Sequence, residues 1–281
     1  KFIYTFLRHF NLYGRLSVNG ELQRMKDALP SGHMVIEDRD YCEGKTPLLK
    51  SSGDPYRVYR DAWIVVGNKP GGMLTHPNVE DPNPAMTEIL ADPPLRPVQR
   101  LDRGTSGLLL FAMHAHAQYR LSQQKMRRRY LAFIYGIPTE NQGTINEAIG
   151  RNPGSIVERR IASHGKKAIS HYRCLKRWPK AGVSLLQLDL ETGRTHQLRL
   201  HCLSQGWPLV GETLYTWERE ELAGRKVEKP KHIFELPRQA LHASQLGFIH
   251  PDALNPRAMF FTAPLPEDLQ QFYVQLQTEW T

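Results

Sequence analysis

Apolar residues along this chain fall into short runs bounded by turn residues, a spacing that predicts many strands and few helices. Tyr56 to Asn68 reads as two strands broken at Asp61, and Lys69-Pro70-Gly71-Gly72 as a turn. A Pro-rich loop follows from His76 to Pro97. Leu108 to Met113 is short enough for a buried strand, and further strands are predicted at Tyr130 to Tyr135, Ala168 to Leu175, Val183 to Leu190 and Leu241 to Ile249. Helical spacing is loose over His116 to Met126 and clearer over His196 to Ser204, where Thr195 is the expected N-cap and Gly206 follows the end. A last helix is expected over Glu267 to Gln277, after Pro266.

The order of these elements predicts an α+β fold on a mixed, mostly antiparallel sheet with flanking helices and loops. Three parts are expected. Residues 1 to 40 form a small N-terminal module, whose Asn19-Gly20 pair signals a hairpin. Residues 41 to 55 form a linker, and residues 56 to 281 a large domain.

Charge changes the picture more than composition does. The chain has 281 residues, 40% of them hydrophobic, and a formal net charge of +9. Residues 94 to 180 hold 17 Lys and Arg against 4 Asp and Glu, whereas residues 181 to 281 hold 9 against 12. A basic excess confined to the middle third predicts a local surface for a polyanion such as RNA. The three cysteines are widely spaced, so neither a disulfide framework nor a thiolate zinc site is expected. No stretch approaches the roughly 20 apolar residues that span a bilayer. These features suggest an intracellular protein. The start at Lys1 without Met would suit a matrix protein after loss of a mitochondrial leader, with the cytoplasm as the alternative.

Several apparent motifs fail on spacing. Gly44-Lys45-Thr46 lacks the upstream glycine of a P-loop, since Arg39 stands there, and Pro47 interrupts the helix that should follow. Gly104, Ser106 and Gly107 do not form a nucleophile elbow, because Leu108 occupies the second glycine position. No metal and no cofactor are expected.

Two segments carry chemistry. Arg100-Leu101-Asp102-Arg103-Gly104-Thr105-Ser106-Gly107 sets one carboxylate between two guanidinium groups, the setting of an ionised nucleophile or base, or of a structural ion pair. Thr192-Gly193-Arg194-Thr195-His196-Gln197-Leu198-Arg199-Leu200-His201 gathers two arginines, two histidines and a glutamine at a strand-to-helix junction suited to holding an anion.

Arg100 to Leu110 resembles the signature of the RluA-type RNA pseudouridine synthases, and the likeness runs through six further blocks. These are Asn68 to Pro77, Arg129 to Ala132, Thr192 to His201, Pro208 to Glu212, Leu241 to Ala243 and Phe261 to Pro264. Residues 6 to 36 resemble a degenerate S4 RNA-binding module. The resemblance implies a catalytic domain with its cleft across the sheet and an RNA isomerase that needs no cofactor, acting on structured RNA, with rRNA favoured over tRNA and pre-ribosomal particles among the expected partners; a monomer is the favoured oligomeric state. It implies Asp102 as nucleophile, Tyr130 stacked on the base near the proton transfer, and Arg194 paired with Asp102. Arg100 would help expel the target nucleotide and Leu200 would line the pocket. Further RNA contacts are expected from Gln99, Arg103, Thr105, His196, Gln197, Arg199, Lys69, Arg127 and Arg128. Gln99 stands where the family usually has His, which removes a group able to carry a proton. An RNA-binding ribosome-assembly factor that keeps the fold without the catalysis is the competing expectation.

Overall fold

The computed structural model describes residues 16–18, 21–22, 36–38, 55–79, 81–90, 94–217 and 229–280. Near the N-terminus, β1 (Leu16–Val18), β2 (Glu21–Leu22) and β3 (Ile36–Asp38) form an antiparallel sheet in the order β2-β1-β3. Val18 pairs with Glu21, so the Asn19-Gly20 pair falls between two paired strands. The rest of the expected S4-like module, and all but the last residue of the expected linker, lie outside the described residues.

A ten-stranded sheet follows. Its strands are β4 (Arg57–Arg60), β5 (Ile64–Lys69), β6 (Arg96–Pro97), β7 (Ser106–Ala112), β8 (Arg127–Tyr135), β9 (Gln142–Asn146), β12 (Ile169–Trp178), β13 (Val183–Leu190), β14 (Leu241–Ile249) and β15 (Ala258–Thr262). The main path runs β4-β5-β7-β14-β8-β13-β12-β9, with β6 on β7 and β15 on β14. Every pairing is antiparallel except β7 with β14. A separate hairpin joins β10 (Ile149–Arg151) to β11 (Arg159–Ile161). The helices are α1 (Met86–Ile89), α2 (Ala115–Ser122), α3 (Gln197–Ser204) and α4 (Glu267–Glu279). None of the described helices is long and apolar enough to cross a membrane.

Strand alternation divides the core. Tyr130, Ala132 and Ile134 of β8 point to one face and pack with Leu186, Leu188, Leu198 and Cys202, beneath α3. Phe133 and Tyr135 point to the other and meet Leu269, Phe272 and Leu276 of α4. All seven residues of β7 are buried, as expected of a strand covered on both sides.

The junction of β7 and β14 sets the site's spacing. Ala243 of β14 lies opposite Gly107 on one side and Tyr130 on the other, so the row Gly107-Ala243-Tyr130 crosses three strands. Neighbouring strands are about 4.8 Å apart, so the loop before β7 and Tyr130 on β8 come together although far apart in sequence. Gly107 has φ of 112°, and a Cβ there would lie 2.3 Å from the Ala243 carbonyl oxygen, so only glycine fits.

Candidate active site

Asp102 sits in the loop that leads into β7, in a turn closed by the Thr105 N–H donating to its own carbonyl at 3.0 Å. Three groups brace this loop. Thr75 accepts from the Leu101 N–H at 3.2 Å and donates to the Leu101 carbonyl at 3.1 Å. Arg238 donates to the Gly104 carbonyl at 2.9 Å while ion-paired to Asp268. Lys69 is buried, and its ammonium donates to the carbonyls of Pro70, Met73 and Arg103 at 2.9, 2.7 and 2.9 Å. Burial, with the nearby Arg238 cation, lowers the Lys69 pKa to about 7. The expectation that Lys69 touches RNA therefore fails: all three of its protons go to backbone oxygens, and it ties the Lys69-Pro70-Gly71-Gly72 turn to the Asp102 loop.

The Asp102 carboxylate remains 26% exposed, open to an incoming molecule. Its cationic neighbour is Arg199, whose Nη1 lies 3.4 Å from Oδ2. The expected partner, Arg194, turns outward and donates from Nε to the Lys167 carbonyl at 3.0 Å. The cause is helical geometry. Arg194 lies in the turn before α3, whereas Arg199 is three residues after His196 on the same face, and both meet Asp102.

Arg199 is fixed from behind. Its Nε and Nη2 donate to the two oxygens of Glu212 at 2.7 and 2.6 Å, and its guanidinium lies 4.9 Å from the centre of the Tyr215 ring. Glu212 Oε1 also accepts the backbone N–H groups of Thr213, Leu214 and Tyr215. Burial would raise the Glu212 pKa, but the hydrogen bonds and charge of Arg199 outweigh it and hold the carboxyl below its ordinary value. A buried, doubly hydrogen-bonded pair of this kind holds the arginine in one rotamer.

His196, the N-cap of α3, has φ of 57° and ψ of 19°, and is the single non-glycine with positive φ among the described residues. The expected cap, Thr195, gives way to it, and the side chain of His196 makes no capping bond. Its ring instead spans two groups, with Nδ1 2.7 Å from the Tyr215 hydroxyl and Nε2 3.9 Å from Asp102 Oδ1.

Tyr130 is buried beside this cluster. Burial pushes its phenol up to about 12, with the Asp102 charge adding and Arg128 opposing. It is thus a neutral ring at physiological pH. Arg128 shares its face of β8 by alternation and packs against Gly193, where a Cβ would lie 2.6 Å from Nη1. Arg127 faces the other way, 5.7 Å over the Phe260 ring, and Arg129 grips Asp189 through two hydrogen bonds.

The remaining predicted residues divide clearly. Arg100 is exposed, and Arg103 is exposed with Nη2 3.2 Å from Asp81. Gln99 is half-buried, and its Oε1 has no hydrogen-bond partner among the described residues. Thr105, Gln197 and Leu200 are buried and cannot reach RNA in this arrangement. Gln197 instead closes the turn before α3: its Oε1 accepts from Arg194 N and Thr192 Oγ1, and its Nε2 donates to the Ile169 carbonyl and to Ser170. Leu200 packs with Ile149, Ala168, Leu203 and Tyr215, while Leu198 is the α3 leucine in the Tyr130 cluster. Glu212, Tyr215, Thr75 and Arg238 were not expected. Glu212 and Thr75 carried a signal, as members of the Pro208 to Glu212 and Asn68 to Pro77 blocks.

Comparison with known proteins identifies the family. A family model described as RNA pseudouridylate synthase matches residues 63–204. An uncharacterized RNA pseudouridine synthase of Bacillus subtilis, YjbO, is 34% identical, covering 92% of this chain and 89% of its own. Ribosomal large subunit pseudouridine synthase D of Xylella fastidiosa is 31% identical, covering 95% and 82%. Among solved structures, human RNA pseudouridylate synthase domain containing 1 is 27% identical with a TM-score of 0.55, covering 82% of this chain and 98% of that one.

Proposed function

The chain belongs to the RNA pseudouridylate synthase family and is an isomerase acting on RNA, and from that premise we propose that Asp102 is its nucleophile and ribosomal RNA its substrate. The observation that carries the assignment is the position of Asp102: a partly exposed carboxylate, held on a loop with three braces, paired with a buried arginine and next to a buried tyrosine ring.

Isomerisation breaks the uridine N1–C1′ bond and forms C5–C1′, with one proton lost from C5 and one gained at N1. The change is redox-neutral, so side chains of the chain itself can carry it. Asp102 attacks the target nucleotide, either at the ribose or by taking a proton from it, and Arg199 stabilises and orients the carboxylate. Tyr130 supplies a neutral aromatic surface on which the freed base turns. Arg128, on the same face of β8, holds the phosphate backbone, and exposed Arg100 assists extrusion of the nucleotide that such chemistry requires. The N-terminal S4-like module adds RNA contacts away from the catalytic domain. Ribosomal RNA is favoured because a relative aligned over 95% of this chain is named for the large ribosomal subunit.

The test is tritium release from large-subunit rRNA transcripts labelled at uridine C5. The parent chain releases tritium, and Asp102→Asn lowers release at least a thousandfold while still binding the transcript. Equal release by both would remove Asp102 as nucleophile. Release from tRNA transcripts alone would remove the rRNA assignment.

A further inference from the structure

Behind the Asp102 carboxylate lies a chain of polar contacts, two of them hydrogen bonds, that the isomerisation itself does not call for. The backbone N–H of Arg159, at the start of β11, donates to the Tyr215 hydroxyl oxygen at 2.9 Å. That hydroxyl is 2.7 Å from Nδ1 of His196, and Nε2 of the same ring is 3.9 Å from Asp102 Oδ1. Tyr215 is fully buried and the His196 side chain is 10% exposed, so both rings are held in place.

The protons on this chain can be assigned. A backbone amide only donates, so Tyr215 accepts from Arg159. Nε2 faces the Asp102 carboxylate at 3.9 Å, beyond hydrogen-bond reach, where an N–H is attracted to the carboxylate and a lone pair is repelled. A neutral histidine with its proton on Nε2 has a lone pair on Nδ1, and the Tyr215 hydroxyl then donates to it. In this form the Arg159 N–H and the Tyr215 O–H each meet an acceptor, and the Nε2–H is directed toward Asp102. His196 makes this bridge from a left-handed backbone, a conformation uncommon outside glycine.

We infer that His196 and Tyr215 are positioning residues for the proposed reaction: Tyr215 locks His196 in the Nε2–H form, and that N–H faces Asp102 Oδ1 across 3.9 Å and closes on it when substrate binds, while Arg199 holds Oδ2. The inference rests on Asp102 being the nucleophile. It assigns His196 a role different from direct RNA contact, and gives Tyr215 a role in catalysis through another residue.

The groups around His196 support a neutral ring. Burial lowers its pKa most, Asp102 and Glu212 raise it, and Arg199 and Arg159 lower it, leaving it below the ordinary histidine value. Two cations and two carboxylates act in opposite directions, and desolvation is the largest influence. On acidification the ring charges and binds Asp102 as an ion pair, which withdraws the carboxylate from the substrate.

Tyr215→Phe is the informative variant, because it keeps the ring under Arg199 and removes only the hydroxyl. Nitrogen-15 NMR of the histidines in the full chain reads the tautomer directly and needs no substrate. The parent should show His196 protonated on Nε2, and Tyr215→Phe should show a mixture with the Nδ1–H form. A parent ring protonated on Nδ1 overturns the inference whatever the activity. In the tritium-release assay on large-subunit rRNA transcripts, Tyr215→Phe should lower kcat by roughly 10- to 100-fold at unchanged KM, the size expected when a reacting group is misplaced. Its thermal melt should fall modestly, because the Arg159 N–H loses its acceptor, while its circular dichroism at assay temperature matches the parent's. His196→Gln, which keeps a donor, should recover part of the rate lost in His196→Ala, and should lose the acid limb of the kcat profile. An unchanged kcat in Tyr215→Phe, or no rescue by Gln, overturns the positioning role. A parent that releases no tritium defeats the functional reading alone, since the NMR result stands apart from it.

Discussion

Arg199 reaches Asp102 Oδ2 at 3.4 Å with the one guanidinium nitrogen that Glu212 does not use. The same side chain is therefore both a structural ion pair and the cation of the site, and the two uses separate by substitution. Arg199→Lys keeps a charge but loses the fork, and should cut tritium release by about 10²-fold or more. Arg199→Met should in addition destabilise the chain by about 3–5 kcal/mol, because Glu212 is left buried and unpaired. Arg194→Gln should change release only a few-fold. Equal losses at both arginines would contradict the pairing.

Glu212 predicts how stability responds to acid. Its folded pKa lies below the ordinary value, so its contribution is fully present above the unfolded carboxyl range and is lost as pH falls through the folded value. Urea melts between pH 3 and 7 should show a steeper acid loss in the parent than in Glu212→Gln. Parallel curves would mean that the pair contributes nothing to folding.

Lys69 predicts the opposite limb. With its pKa lowered from 10.5 to about 7, the unfolded chain binds more protons between those values, so this group makes stability rise with pH across that window. At the steepest, one such proton contributes about 1.4 kcal/mol per pH unit. The parent minus Lys69→Met difference in urea midpoint should rise from pH 7 to 10. A flat difference would show that the three carbonyls keep the ammonium charged throughout.

Strand alternation separates two neighbouring arginines. Arg128→Gln should weaken binding to rRNA transcripts and reduce the salt slope by about one, whereas Arg127→Gln, on the far face of β8 over Phe260, should have the smaller effect. Filter binding from 50 to 300 mM salt checks this. A larger loss at Arg127 would place the RNA on the opposite face.

Gly107→Ala tests the junction of β7 and β14. A Cβ 2.3 Å from the Ala243 oxygen on a backbone with φ of 112° has no room, and the variant should lose about 2 kcal/mol or more of stability. Circular dichroism melts would show it, and a parent-like midpoint would refute the close approach.

Much of the fold was legible before the structure. Val183–Leu190 and Leu241–Ile249 were predicted to the residue, since alternation or a bounded apolar run marks a strand directly. Helix α3 was found by its periodicity and by Gly206, but its cap was missed: no local rule signals a histidine in the left-handed region. The helix is buried on all sides, so no amphipathic pattern showed which of its polar residues face the site.

What the sequence by itself determined is the family and the loop that bears Asp102, because contiguous motifs and a basic middle third are properties of the linear chain. Which side chains meet that carboxylate was decided by tertiary structure. Arg199, His196, Glu212 and Tyr215 converge only when α3 is laid over the sheet and the segment after it folds back to offer a buried carboxylate. In the sequence Arg194 looks equally suited to pairing with Asp102, and Lys69 looks suited to touching RNA. They are excluded by geometry, one because its turn points outward and the other because burial commits every proton it has to the backbone.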